Sequence, residues 1–136
     1  MVLFRPVGLA ELELIAASGW RAFPPRLAHQ PIFYPVLNRG YAEEIARDWN
    51  PTDPASGHIG FVTRFEVDDA YVARFEVKTV GARRHQELWV PAEALGAFND
   101  HLVGRITVEA VFPGPASTGE LDPVTGLPRS VVSAAP

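Results

Sequence analysis

Apolar positions along the chain recur with two different periods, and the switches between them mark out the elements. Leu3 to Val7 is a short apolar run broken by Pro6, which suits an edge strand. From Leu9 the spacing becomes helical: Leu9, Leu12, Ile15 and Ala16 fall on one face, and Glu11 and Glu13 sit near the start, where the helix dipole favours acids. Gly19 supplies a C-terminal stop. Trp20 to Pro31 carries three prolines and no period, so it reads as an extended loop. Ile32 to Val36 is a second short strand, again interrupted by proline. Asn38 is a good N-cap for a helix over Arg39–Trp49, with Tyr41, Ala42, Ile45, Ala46 and Trp49 as its apolar stripe.

After a Pro- and Gly-containing loop, Asn50 to Gly57, the period drops to two. Ile59, Phe61, Thr63, Phe65 and Val67 alternate with more polar or smaller residues, as in a strand with one buried face. Asp68 and Asp69 can cap a short helical turn through Tyr71 and Val72. Phe75 to Val80 and Glu87 to Val90 read as strands around the turn Gly81-Ala82-Arg83-Arg84. Pro91 fits the first position of a helix to about Asn99, and Arg105 to Phe112 is the last strand. The order predicts an α+β fold: a bent, mainly antiparallel sheet carrying about three short helices. Residues 1–112 form the single domain. Residues 113–136, rich in Pro, Gly, Ser and Thr and without an amphipathic period, read as a disordered tail.

Composition narrows the classes. A 136-residue chain that is 47% hydrophobic, with eight Phe, can fill one core. It has no cysteine, which excludes disulfides and thiolate metal sites and suits a reducing cytoplasm, the expected location. The N-terminus has no basic segment ahead of a long apolar run, so no signal peptide is expected. No stretch approaches the roughly 18 apolar residues of a membrane span. A formal charge of −4 and a pI near 5.5 argue against general affinity for nucleic acid or anionic lipid. Arg83-Arg84 is the densest basic cluster and reads as a solvated turn.

Three sets of residues carry candidate chemistry. In a strand, His85 and Glu87 share a face, either for acid–base work or simply as the polar side of an edge strand. Glu87 also shares its face with Trp89, a pairing common on cleft walls. Arg5, within an apolar strand, must reach solvent or find an acceptor: a ligand's diphosphate or carboxylate, or an internal partner such as Glu87. The four His, at 29, 58, 85 and 101, form no metal-ligand pattern. Ser18 and Ser56 sit in no nucleophile elbow, and no phosphate-binding glycine motif is present.

Taken in order, Phe4-Arg5, the helix Leu9–Gly19, Phe33-Tyr34, Asn38, Tyr41-Ala42 and the late Glu87 resemble the ADP-ribosyltransferase-like fold, in its diphtheria-toxin-like branch. The resemblance implies NAD as substrate. Arg5 would hold the adenosine ribose and phosphates, Tyr34 would stack on nicotinamide beside Trp89, and Glu87 would stabilise the oxocarbenium-like ribose, with His85 nearby. A protein acceptor would be possible. Arg5 stands where that branch has histidine, and Pro35 where it has serine or threonine. The runs Phe4–Leu9, Phe23–Arg26, Gln30–Val36 and His85–Pro91 are also similar to a group of small bacterial proteins labelled "ADP-ribosylation/crystallin J1". The crystallin J1-like glycohydrolases are much longer, all-helical and di-magnesium, and their acidic metal motifs have no counterpart here. Glycohydrolase activity is therefore not expected, and the alternative to a transferase is a non-catalytic ligand- or protein-binding module of the same fold.

Overall fold

The computed structural model describes residues 1–83, 85–117 and 119–134. In chain order the elements are β1 (Val2–Val7), α1 (Leu9–Ala17), β2 (Ile32–Phe33), α2 (Arg39–Asp48), β3 (Ile59–Val67), α3 (Asp69–Val72), β4 (Val77–Thr79), β5 (Gln86–Leu88), β6 (Val90–Pro91), α4 (Leu95–Asp100), β7 (Leu102–Pro113) and α5 (Arg129–Ala134). Short 3-10 turns cover Asn50–Thr52, Pro54–Ser56 and Ala92–Ala94. The protein is α+β, and every strand pair among the described residues is antiparallel. Among the described residues it has five short helices rather than about three. Arg84, half of the basic cluster, lies outside the described residues.

β3 is the spine, paired with β1 on one side and β7 on the other. Register shifts at Val62/Thr63 and Arg64/Glu66 mark bulges that bend the sheet. The sheet continues past β1, because Phe4 exchanges backbone hydrogen bonds with Val36 (2.9 and 2.7 Å) and Val36 bridges Glu87 on β5. Ile32–Pro91, Phe33–Val90 and Val36–Glu87 keep a single register, so residues 32–37 and 86–91 run as one antiparallel arm. β1 is therefore interior, not the edge strand that Pro6 suggested.

Local signals explain much of this. The Asn38 side chain accepts from the Tyr41 N–H at 2.7 Å, capping α2 as expected. α1 stops at Ala17, and Gly19 takes the left-handed conformation (φ +78°) that glycine tolerates. Pro91 ends β6 and caps the 3-10 turn Ala92–Ala94, which leads into α4 at Leu95, so the expected helix begins as a tighter turn one residue later.

Two cores sandwich the sheet. The larger joins Leu3, Leu12, Ile15, Phe33, Phe65 and Phe98 with Phe23 from the proline-rich loop. Its rings pack 4.7 to 5.4 Å apart at Phe23–Phe65, Phe23–Phe33 and Phe33–Phe98. Each buried Phe contributes about 1.5–3 kcal/mol. The smaller core, Val36, Ala42, Ala46 and Val62, lies under α2. β3 is thus buried on both faces in its first half, where one buried face was expected. Gly60 makes this possible: a Cβ there would lie 2.1 Å from the Ala46 carbonyl oxygen.

The expectation of a disordered tail is corrected. Asp122 and Leu127 close a turn, α5 packs against α1, and Val131 is fully buried. Leu127 and Val131 are too few apolar positions to show a period: Leu127 packs against the main core, and Val131 is buried where α5 meets α1.

Candidate functional site

The site originates in a missing donor. β1 and the 32–37 arm pair at Phe4–Val36, but the next inter-strand donor would come from Pro6, which has no N–H. The ladder stops there and the strands part. Arg5 reaches into the gap, its Nη1 donating to the Tyr34 carbonyl at 3.5 Å, a long contact in place of the absent backbone bond. A cleft of about 820 Å³ opens at this end of the sheet, between α1, the proline-rich loop and the C-terminal end of α2. Arg5, Tyr34, Glu87 and Trp89 all line it; His85 does not.

Arg5 lies on the α1 face. Its Nε donates to Glu11 Oε2 at 2.6 Å and its Nη2 to Glu11 Oε1 at 2.9 Å, a bidentate pair stacked over the Phe33 ring. The internal partner is thus Glu11 rather than Glu87, because Glu87 projects from the opposite face of the sheet. Arg26, from the proline-rich loop, brings a second guanidinium, with Nη1 3.9 Å from Glu11 Oε1. Burial, and then the neighbouring Arg5 charge, hold the Arg26 pKa below its ordinary value.

On the α2 face, Glu87 is buried and accepts from Tyr41 Oη at 3.0 Å and Trp89 Nε1 at 2.8 Å. Both donors are neutral, and among the described residues no cation pairs with this carboxylate. The Tyr41 phenol is pushed up to about 12, first by burial and then by its bond to Glu87, so it stays a donor at neutral pH. Tyr34 and Trp89 are cross-strand neighbours in the arm, their rings edge to face with centroids 6.1 Å apart. Trp89 is 44% exposed and Tyr34 38%.

His85 and Glu87 do share a face, since both meet Tyr41. The His85 ring stacks on Tyr41 at 4.4 Å, but its Nε2 lies 2.8 Å from Glu44 Oε2, away from the cleft. The structure thus does not bring His85 into the cleft with Glu87: what it touches is Tyr41 and Glu44.

The other wall was not foreseen. Trp49, assigned to the buried stripe of α2, is 63% exposed at the cleft mouth. Next to it, the buried Asn50 donates from Nδ2 to Ser56 Oγ (2.8 Å), and Ser56 donates to Asp53 Oδ2 (2.8 Å). The Asn50 oxygen accepts nothing from the described residues. This loop is pressed against β1, as a Cβ on Gly8 would lie 2.6 Å from Ser56 Cα. The sequence signal available for Trp49 was its place at the helix end directly before Asn50-Pro51, where a stripe residue outruns the sheet beneath it.

Among the described residues no three His, Cys, Asp or Glu come together to hold a metal, and no helix is long and apolar enough to cross a membrane. No family model, curated protein or solved structure matches the chain significantly.

Proposed function

We propose that the cleft binds NAD or a related nucleotide and that the domain acts as an ADP-ribosyltransferase-like enzyme. What supports this reading is one observation: Arg5, Tyr34, Glu87 and Trp89, from stretches far apart in sequence, line a single cleft. Tyr34 and Trp89 offer exposed ring surface to a flat heterocycle. Glu87 presents a carboxylate without a counter-cation where a ribose next to that ring would lie. Transfer would break the ribosyl–nicotinamide bond, with the electron pair leaving on the nicotinamide nitrogen. The Glu87 charge would stabilise the positive charge developing on the ribose carbon. An acceptor nucleophile would then bond to that carbon and release its proton to water. Leu14, Leu27 and Trp49, all exposed along the cleft, provide an apolar rim for a protein acceptor.

One observation favours the non-catalytic module instead. Both Glu87 oxygens are already engaged, by Tyr41 and Trp89, and the Arg5 fork is filled by Glu11. Calorimetric titration of NAD into wild type and Glu87→Gln, with nicotinamide release followed in parallel, separates the two. The transferase binds NAD and releases nicotinamide, and Glu87→Gln keeps binding while turnover falls about a hundredfold or more, in the range of lost electrostatic stabilisers. Equal binding without turnover in both proteins favours the module, and no binding at millimolar NAD rejects the nucleotide reading.

A further inference from the structure

We infer that Arg26, not Arg5, is the group that holds an anionic phosphate in the cleft. Arg5 has little left to offer a ligand, because Nε, Nη1 and Nη2 each donate to an acceptor of the chain itself. Arg26 is held differently. Its Nε donates to the Ile32 carbonyl at 3.2 Å, which anchors the side chain and aims the guanidinium. Its Nη1 stays 3.9 Å from Glu11, beyond hydrogen-bond distance, and no terminal N–H of Arg26 finds an acceptor among the described residues. The side chain is nonetheless only 12% exposed.

Those terminal N–H groups stay open to the cleft, where an anionic ligand can meet them. The carboxylate nearest Arg26 is already spent on Arg5, so two cations face one anion at this end of the cleft. A phosphate would balance that charge and accept the open N–H groups of Arg26. Tyr34 and Arg26 line the same cleft, so one ligand can lay a ring on Tyr34 and present a phosphate to Arg26. The ligand class is a phosphorylated aromatic heterocycle. The inference rests on the nucleotide reading only for the choice of heterocycle.

The test is calorimetry at low ionic strength with inorganic pyrophosphate, AMP, adenosine and NAD on wild type, Arg26→Gln and Arg26→Lys. Pyrophosphate and AMP should bind wild type, and AMP more tightly than adenosine. Arg26→Gln should weaken AMP and pyrophosphate about tenfold or more, as expected for loss of a charge-assisted contact, and leave adenosine unchanged. Arg26→Lys, which keeps the charge without the planar fork, should fall between. A measurement on the wild type needs no variant to fold: pyrophosphate should shift the Arg26 Nε–H resonance in a ¹H–¹⁵N spectrum. AMP binding no better than adenosine, no pyrophosphate binding, variant affinities within about twofold of wild type, or shifts confined to other arginines would each overturn the inference. If pyrophosphate binds through Arg26 and NAD does not, the inference stands and the NAD reading fails. If NAD binds independently of Arg26, the reverse holds.

Discussion

Removing Glu11 should cost more stability than removing Arg5, although the two form one ion pair. The pair is mostly enclosed, with side chains 10% and 20% exposed. Breaking such a pair by deleting one partner costs about 3–5 kcal/mol, chiefly because a charge is left without compensation. The cost is unequal here because a third group is present. Arg5→Met leaves Glu11 with Arg26 3.9 Å away, a substitute partner needing only a small shift, so the loss should lie near 3 kcal/mol or below. Glu11→Leu leaves two guanidiniums facing each other with no anion between them, and the loss should approach 5 kcal/mol. Of a total stability of about 5–15 kcal/mol, that is a large share. In the double variant one of the two stranded cations is gone, so it should be more stable than Glu11→Leu alone, by about 1 kcal/mol. Urea unfolding of the four proteins, read as midpoint and slope, gives the cycle directly. If Glu11→Leu proves no more damaging than Arg5→Met, Arg26 is not coupled to the pair and the charge argument for it collapses; a double variant that shows the simple sum would mean that Arg5 and Glu11 themselves are not coupled.

The other expectations concern the remaining parts of the fold. Truncation after Gly119 removes fully buried Val131 and uncovers part of α1; at about 1.5–3 kcal/mol for one buried valine, the melting temperature should drop by about 5 °C or more, whereas a drop of less than about 2 °C would mean that the tail only rests on the surface. Gly60→Ala forces a Cβ to within 2.1 Å of the Ala46 carbonyl oxygen and should cost about 1–3 kcal/mol by overpacking; an unchanged denaturation midpoint would show that α2 can lift off the sheet. Tyr41 has a folded pKa raised to about 12, so its contribution to stability is complete below its unfolded value near 10 and is lost as pH rises towards 12. Near-ultraviolet titration should therefore show one tyrosine ionising late, and Tyr41→Phe should abolish that phase; if the late phase persists in Tyr41→Phe, the assignment is wrong.

Much of the local structure is written in neighbouring residues. The Asn38 cap, the Gly19 stop and the period-two run from Ile59 to Val67 depend on groups within a turn or a strand of each other, so the sequence alone determines them. The interrupted pairing at Pro6 is likewise intrinsic to proline, which has no donor on any surface. The structure decided what that interruption was for. Pro6 does not mark an edge; it stops the ladder between β1 and residues 32–37 and so opens the cleft. Which carboxylate meets Arg5 was equally beyond the linear pattern. Glu11 and Glu87 are both plausible acceptors in sequence, but strand alternation sends Arg5 towards α1 and Glu87 towards α2. The tail shows the same division, since Val131 acquires a meaning only where α5 meets α1. Short-range stereochemistry set the elements, whereas register, strand face and the docking of distant segments set the site, because those depend on contacts that no local window contains.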